Sequence, residues 1–135
     1  MVNEELANSY LRRARIRFDV LQEFLKRDDY ADTVREAQEI VELVQKALLI
    51  KIGIQPPKWH DVGNIIDQHL EEYPSQIRDK LKKLNKEAKW LRSQRELAFY
   101  GDMDIIPEEL YTKEDALRAV RIAKDYLSIA QSLPG

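Results

Sequence analysis

The chain has 135 residues, a formal net charge of −2 and no cysteine. This length suits one domain, which we expect to span residues 1–135, and the charge balance argues against a globally basic nucleic-acid-binding protein. The lack of cysteine excludes disulfides, thiolate metal sites and a cysteine nucleophile, and the scarcity of glycine and proline disfavours a turn-rich β fold.

The first two segments of the chain carry apolar residues at helical spacing. In the first they are Ala7, Leu11, Ala14, Phe18, Leu21 and Leu25. In the second they are Val34, Ala37, Val41, Val44 and Leu48. This spacing predicts two amphipathic helices, with a break near Asp28 and with Asp29 as the N-cap of the second helix. Gly53 is the residue type that ends a helix in a left-handed conformation, and the prolines at 56 and 57 prevent the helix from continuing.

The second half of the chain predicts a short helix and two more long ones. Asp61 is a suitable N-cap for a short helix reaching Leu70, and the third long helix follows Pro74 and runs to Gly101. We expect an acidic loop closed by Pro107, and then a last helix that begins with a capping box. The box pairs Thr112 with Asp115, and the stripe that follows is Ala116, Val120, Ala123, Leu127 and Ala130.

Four amphipathic helices with short connections predict an all-α fold, an up-and-down four-helix bundle with an additional short helix. No stretch is apolar enough to span a membrane, and the first residues show no apolar signal region. We therefore expect a soluble cytoplasmic protein that does not associate with membranes.

An arginine interrupts the apolar stripe of the third long helix. The stripe consists of Ile77, Leu81, Leu84, Ala88 and Leu91, and its next step is Arg95. A guanidinium in this seam must be paired, reach water or contact a ligand, because an unpaired buried charge costs several kcal/mol. One interpretation is a structural ion pair with a core carboxylate or with helix-end carbonyls. The other is an anion-binding site at the end of the bundle, where Tyr100 and Asp102 are the nearest polar neighbours in sequence.

The third long helix is also locally basic. Lys82, Lys86 and Lys89 share one face, with Trp90 next to them in sequence. Such a face is able to contact a phosphate backbone while the aromatic ring stacks on a base, although most charged faces are simply solvated. The two histidines, His60 and His69, are too few for a metal site, so we predict neither a metal nor a cofactor.

Several stretches together resemble the HEPN family, the higher-eukaryote-and-prokaryote nucleotide-binding domain. They are residues 34–49, Gly53, residues 57–63 (PKWHDVG), residues 95–102 (RELAFYGD) and the helix that starts at Thr112. The resemblance implies an up-and-down four-helix bundle with an extra short helix, and usually a homodimer. Many prokaryotic members look like ribonuclease toxins that a small nucleotidyltransferase, encoded beside them, neutralises.

The family's nuclease motif is an arginine followed, after four to six residues, by a histidine. Arg95 matches the arginine, but none of residues 100–102 is histidine. A tyrosine, with a pKa of about 10, is a poor general base at neutral pH, so Tyr100 does not replace the histidine well. His60 is the alternative base if the fold or a dimer brings it near Arg95.

Three hypotheses follow from these residues. The first is a HEPN-like protein that binds RNA or a nucleotide around Arg95, with Tyr100, Asp102 and the three lysines assisting, and acts through a nucleotidyltransferase partner. The second is an active metal-independent ribonuclease that uses Arg95 with Tyr100 or His60. The third is a non-catalytic dimeric interaction module in which Arg95 is a structural residue.

Overall fold

The computed structural model describes residues 2–58, 61–100 and 106–133; for residues 2, 95–100 and 107 it describes the backbone alone. Four long helices form the bundle: α1 (Val2–Lys26), α2 (Tyr30–Lys51), α4 (Ser75–Tyr100) and α6 (Lys113–Ser132). Between them lie two short helices, α3 (Val62–Asp67) and α5 (Pro107–Leu110), and a 3₁₀ turn, Leu70–Glu72. No strand occurs in the described part of the chain, so the predicted all-α bundle is confirmed.

Helix α2 is the centre of the bundle and packs against α1, α4 and α6. It is buried on most of its circumference because its sequence is apolar on three sides rather than one. The predicted stripe of α2 is confirmed, since Val34, Ala37, Val41, Val44 and Leu48 are all buried. Within the described residues no helix is long and apolar enough to cross a membrane.

The predicted helix starts agree with the structure. The side chain of Asp29 accepts a hydrogen bond from the Asp32 N–H, and that of Asp61 accepts one from the Gly63 N–H. The capping box at the start of α6 is complete, because the Thr112 hydroxyl accepts from the Asp115 N–H and the Asp115 carboxylate from the Thr112 N–H. Gly53 has a φ of 84°, the left-handed conformation expected after α2.

Two boundaries differ from the prediction. The acidic stretch at Pro107 forms the one-turn helix α5 instead of a loop, because a proline at the first helical position forfeits no hydrogen bond. The short helix α3 ends at Asp67 rather than at Leu70, and a separate 3₁₀ turn follows it. The predicted break near Asp28 is confirmed, since α1 ends at Lys26 and Asp28, with a φ of 59°, makes the turn into α2.

Candidate functional site

The apolar stripe of α4 is buried as predicted. Leu81, Leu84, Ala88 and Leu91 are buried, and Ile77 is half-buried. The backbone stays helical to Tyr100, so position 95 is the next step of the same stripe. The side chains of Arg95 and Tyr100, together with His60 and Asp102, lie outside the described residues, and their roles stay predictions.

The loop that carries His60 is tied to α4 one turn before position 95. The Oδ1 atom of Asp61 lies 3.3 Å from Nη1 of Arg92. The same oxygen accepts the Gly63 N–H at 3.0 Å, which caps α3. Asp61 therefore joins the start of α3 to α4, and its preceding residue in the chain is His60. The sequence identified Asp61 as a cap but contained no sign of its ion pair.

A second contact holds α4 directly before position 95. The Tyr111 hydroxyl lies 3.1 Å from the Gln94 carbonyl oxygen and 3.2 Å from Gln94 Oε1. Burial raises the pKa of the Tyr111 hydroxyl, with a smaller contribution from the Asp115 charge, so this tyrosine remains a donor. Tyr111 thus fixes the segment before α6 to α4 at the residue directly before Arg95. The Asp61–Arg92 pair fixes the start of α3 to α4 three residues before Arg95.

A buried polar network holds α3 against the bundle. Tyr126 of α6 donates to Asn85 Oδ1 at 2.6 Å and accepts from Gln45 Nε2 at 3.1 Å. Asn85 Nδ2 then donates to Asp67 Oδ1, on α3, at 2.8 Å. Burial raises the pKa of Tyr126 well above the ordinary range, so its hydroxyl is a structural donor and not an acid–base group. This network was not predicted, although Gln45 within an apolar run is a sign of it in the sequence.

A hydrogen-bond acceptor without a partner lies further along the same face of α2. Gln38 precedes Gln45 by seven residues, so it points in about the same direction and lies about 10 Å nearer the C-terminal end of α4. Its side chain is 2% exposed, and its Nε2 donates to Glu42 Oε1 at 3.1 Å. Gln38 Oε1 accepts no hydrogen bond from a described residue. A buried carbonyl of this kind is costly unless water or a ligand group satisfies it.

The three predicted ligand-binding lysines lie on a different side of α4 from position 95. Lys82, Lys86 and Lys89 are all exposed. Nine residues, or about 2.5 helical turns, separate Lys86 from Arg95, which puts the two positions on opposite sides of the helix. The three lysines therefore lie away from position 95, and their part in binding stays a prediction.

Trp90 has a described neighbour on α6. The guanidinium carbon of Arg118 lies 4.0 Å from the centre of the Trp90 ring, a cation–π contact. One turn earlier on α4, Glu87 pairs with Arg121, which also contacts Asp125 at 3.2 Å. The outer edge between α4 and α6 is thus lined by arginine contacts.

The histidine that is described is a structural one. His69 Nδ1 lies 3.0 Å from the Ile65 carbonyl oxygen, a bond that closes the end of α3. The described residues contain no group of three or more metal-ligating side chains.

Comparison with known proteins identifies the family. A family model described as "HEPN domain" matches residues 7–133. The chain belongs to the HEPN family. A relative named "Putative toxin MJ1304", from Methanocaldococcus jannaschii, is 29% identical over an alignment of 134 residues that covers 94% of this chain and 87% of the relative. The crystal structure of TT1696 from Thermus thermophilus has a TM-score of 0.72 and 25% identity, and the match covers 93% of this chain and 95% of that one.

Proposed function

We propose that this HEPN protein is a toxin-like component that binds RNA or a nucleotide through a phosphate contact at Arg95. Family membership over residues 7–133 and a relative named as a toxin support this function. The observation that carries it is the position of residue 95, which continues a buried apolar stripe directly after two fixed contacts, Asp61–Arg92 and Tyr111–Gln94.

The chemistry of the proposed site is anion binding. Arg92 is 46% exposed and Asp61 28% exposed, so the pair faces solvent and keeps a second guanidinium one turn from position 95. Two guanidiniums on adjacent turns suit a phosphodiester, because each offers parallel N–H donors to phosphate oxygens. Tyr100 and Asp102 follow Arg95 in the chain and would border the bound nucleotide.

A metal-independent ribonuclease is the second candidate. The Asp61–Arg92 contact favours it, because Asp61 is adjacent in the chain to His60, and consecutive Cα atoms are about 3.8 Å apart. A histidine in this loop would act as the general base that Tyr100 cannot be. Arg95 would then stabilise the charge of the phosphate in the transition state.

The test measures RNA binding and cleavage in EDTA at low salt for the purified protein, Arg95→Ala, Arg95→Lys and His60→Ala. Arg12→Ala is the matched control, because it removes the same charge from an exposed arginine of α1, which packs against α2 and α6. We expect Arg95→Ala to lose binding and keep its helical circular dichroism, with partial retention in Arg95→Lys. Cleavage that survives EDTA and disappears in His60→Ala would instead identify the ribonuclease.

Absence of binding by the unaltered protein would overturn both functions and leave a non-catalytic dimeric module. The oligomeric state, which we propose to be a homodimer, is measured by analytical ultracentrifugation. The proposed nucleotidyltransferase partner is tested by co-expressing the enzyme encoded beside this chain, if one exists, and measuring whether it co-purifies and suppresses toxicity.

A further inference from the structure

We propose that the outer face shared by α4 and α6 is a second contact surface for single-stranded RNA, separate from the Arg95 site. This inference rests on the proposed function, because it names the extended ligand that the same protein would hold. The surface, called here the α4–α6 face, consists of Lys82, Lys83, Lys86, Lys89, Trp90, Arg118 and Arg121.

The α4–α6 face concentrates positive charge in a chain whose net charge is −2. Its six cations are exposed. The neighbouring carboxylates on the two helices include Asp79, Glu87, Glu114 and Asp125, and Glu87 and Asp125 contact Arg121. None of the four lysines forms an ion pair with a described carboxylate, and the ion pairs of this face are those of Arg121. Unpaired exposed lysines attract a polyanion and release its counterions on binding.

Trp90 supplies the aromatic element of the surface. Its side chain is half-buried, and the guanidinium carbon of Arg118 lies over the ring at 4.0 Å from its centre. Bases of single strands stack on aromatic rings and on guanidinium planes with little sequence preference. Lys86 lies one turn before Trp90 on the same side of α4, so a phosphate and a base of one strand have neighbouring partners.

The dimensions of the face fit a strand rather than one nucleotide. Lys82 and Lys89 are seven residues apart, which is about 10 Å along α4. At about 3.4 Å per stacked nucleotide this length corresponds to roughly three steps of one strand. Because the face lies opposite position 95, a mononucleotide cannot contact both, whereas a longer strand passing around α4 can. We therefore assign the face to RNA that extends beyond the nucleotide held at Arg95.

The first measurement is the salt dependence of binding to a uridine dodecamer. Each phosphate contact with a single strand contributes a slope of about −0.7 in log K against log salt. The triple variant Lys82→Gln, Lys86→Gln and Lys89→Gln should therefore lower the slope by about 2 and weaken dodecamer binding. The control Arg12→Gln, Arg13→Gln and Arg15→Gln removes the same charge from exposed positions of α1 and should keep the slope.

The second measurement follows the fluorescence of Trp90 itself. The chain has two tryptophans, Trp59 and Trp90, so one substitution is enough to isolate its signal. In a Trp59→Phe background Trp90 is the remaining tryptophan, and the dodecamer should quench its fluorescence. Uridylyl-uridine should not quench it. Arg118→Gln should change the quenching without changing binding of the dinucleotide.

An unchanged slope in the lysine variant, or no quenching of Trp90, would overturn the inference. If Arg95→Ala abolishes binding of both RNAs while the lysine variant matches the unaltered protein, the inference fails and the proposed function stands. If the lysine variant weakens dodecamer binding and Arg95→Ala does not, the inference holds and the proposed phosphate contact at Arg95 fails. A lysine variant that keeps RNA but loses the nucleotidyltransferase would make the face a protein interface and also overturn the proposal.

Discussion

The carboxylate of Asp61 contacts Arg92 of α4 and the first turn of α3 through one oxygen atom. That oxygen lies 3.3 Å from Arg92 Nη1 and 3.0 Å from the Gly63 nitrogen. Asp61 thus joins the start of α3 to α4, and α3 is itself fixed by the Asn85–Asp67 bond. The proposed site lies next to this junction, because Arg92 is one turn before position 95 on α4.

We predict that Asp61→Ala and Asp61→Asn differ in stability. The alanine variant loses both contacts and should lower the free energy of unfolding by about 1–2 kcal/mol, the usual cost of losing an N-cap. The asparagine variant retains the cap and loses the ion pair, which is partly exposed and contributes about 0.2–1 kcal/mol. Urea denaturation measures both, and the same pair of substitutions in an Arg92→Gln background isolates the ion pair. Equal losses in the two variants would mean that the ion pair, and not the cap, dominates.

We predict that Gly63→Ala destabilises the protein. A Cβ at this position would lie 3.1 Å from Gln45 Nε2 and 3.3 Å from Asp61 Oδ1. Neither atom moves freely, since Gln45 is bonded to Tyr126 in the core and Asp61 caps the helix. Overpacking of this kind costs about 1–3 kcal/mol. The lowered midpoint of thermal unfolding measures it, with exposed Asn64→Ala on the same helix as the control. A Gly63→Ala protein as stable as the control would show that α3 shifts without cost.

The features that the sequence predicted are those determined over a few residues. The N-cap at Asp29, the left-handed Gly53 and the capping box at Thr112 each depend on residues within one turn, so local rules identify them. The buried stripe of α4 was predictable for the same reason. The bond between Gln45 and Tyr126 joins residues 81 positions apart, and no local pattern indicates it.

The candidate site was predictable only in part. The interruption of an apolar stripe by Arg95 is visible in the sequence, and the helical backbone confirms the register that leads to it. The ion pair that draws Asp61 to Arg92 depends on how α3 packs, which a stripe pattern does not encode. The predicted part of the lysines stays untested, and the helical period puts Lys86 half a turn around α4 from position 95.

We predict a pH dependence of stability at the start of α2. The Asp29 side chain and then burial raise the pKa of Asp32 from 3.8 to about 6, with a further contribution from Glu108 and opposition from Arg35. The folded protein therefore holds this proton more tightly than the unfolded chain. The contribution of Asp32 to stability is greatest below about pH 4 and is lost as the pH rises through about 6. Because Asp32 is only half-buried, we expect about 1 kcal/mol or less.

The measurement for Asp32 is the difference in unfolding free energy between Asp32→Asn and the unaltered protein across this range. The variant should gain relative stability from about pH 4 to about pH 6 and then stay constant. Using the difference removes the contribution of the carboxylates that do not interact with Asp32. Asp19→Asn, an exposed change on α1, is the control. A difference that does not vary with pH would contradict the raised pKa.

We predict that Tyr126→Phe is among the more costly conservative changes in this chain. The phenylalanine fills the same space, but Gln45 Nε2 loses its acceptor and Asn85 Oδ1 loses its donor, both in the core. Leaving buried polar groups unpaired costs about 1–3 kcal/mol each, so the free energy of unfolding should fall by more than about 1 kcal/mol. Tyr10→Phe removes a hydroxyl from a half-buried tyrosine that forms no hydrogen bond with a described residue, and should change stability little.

Because Asn85 also holds Asp67, the loss of the Tyr126 hydroxyl should loosen α3, and amide hydrogen exchange should show faster opening of residues 62–67 than of α2. Uniform acceleration of exchange in both helices would mean that the network stabilises the whole bundle rather than anchoring α3.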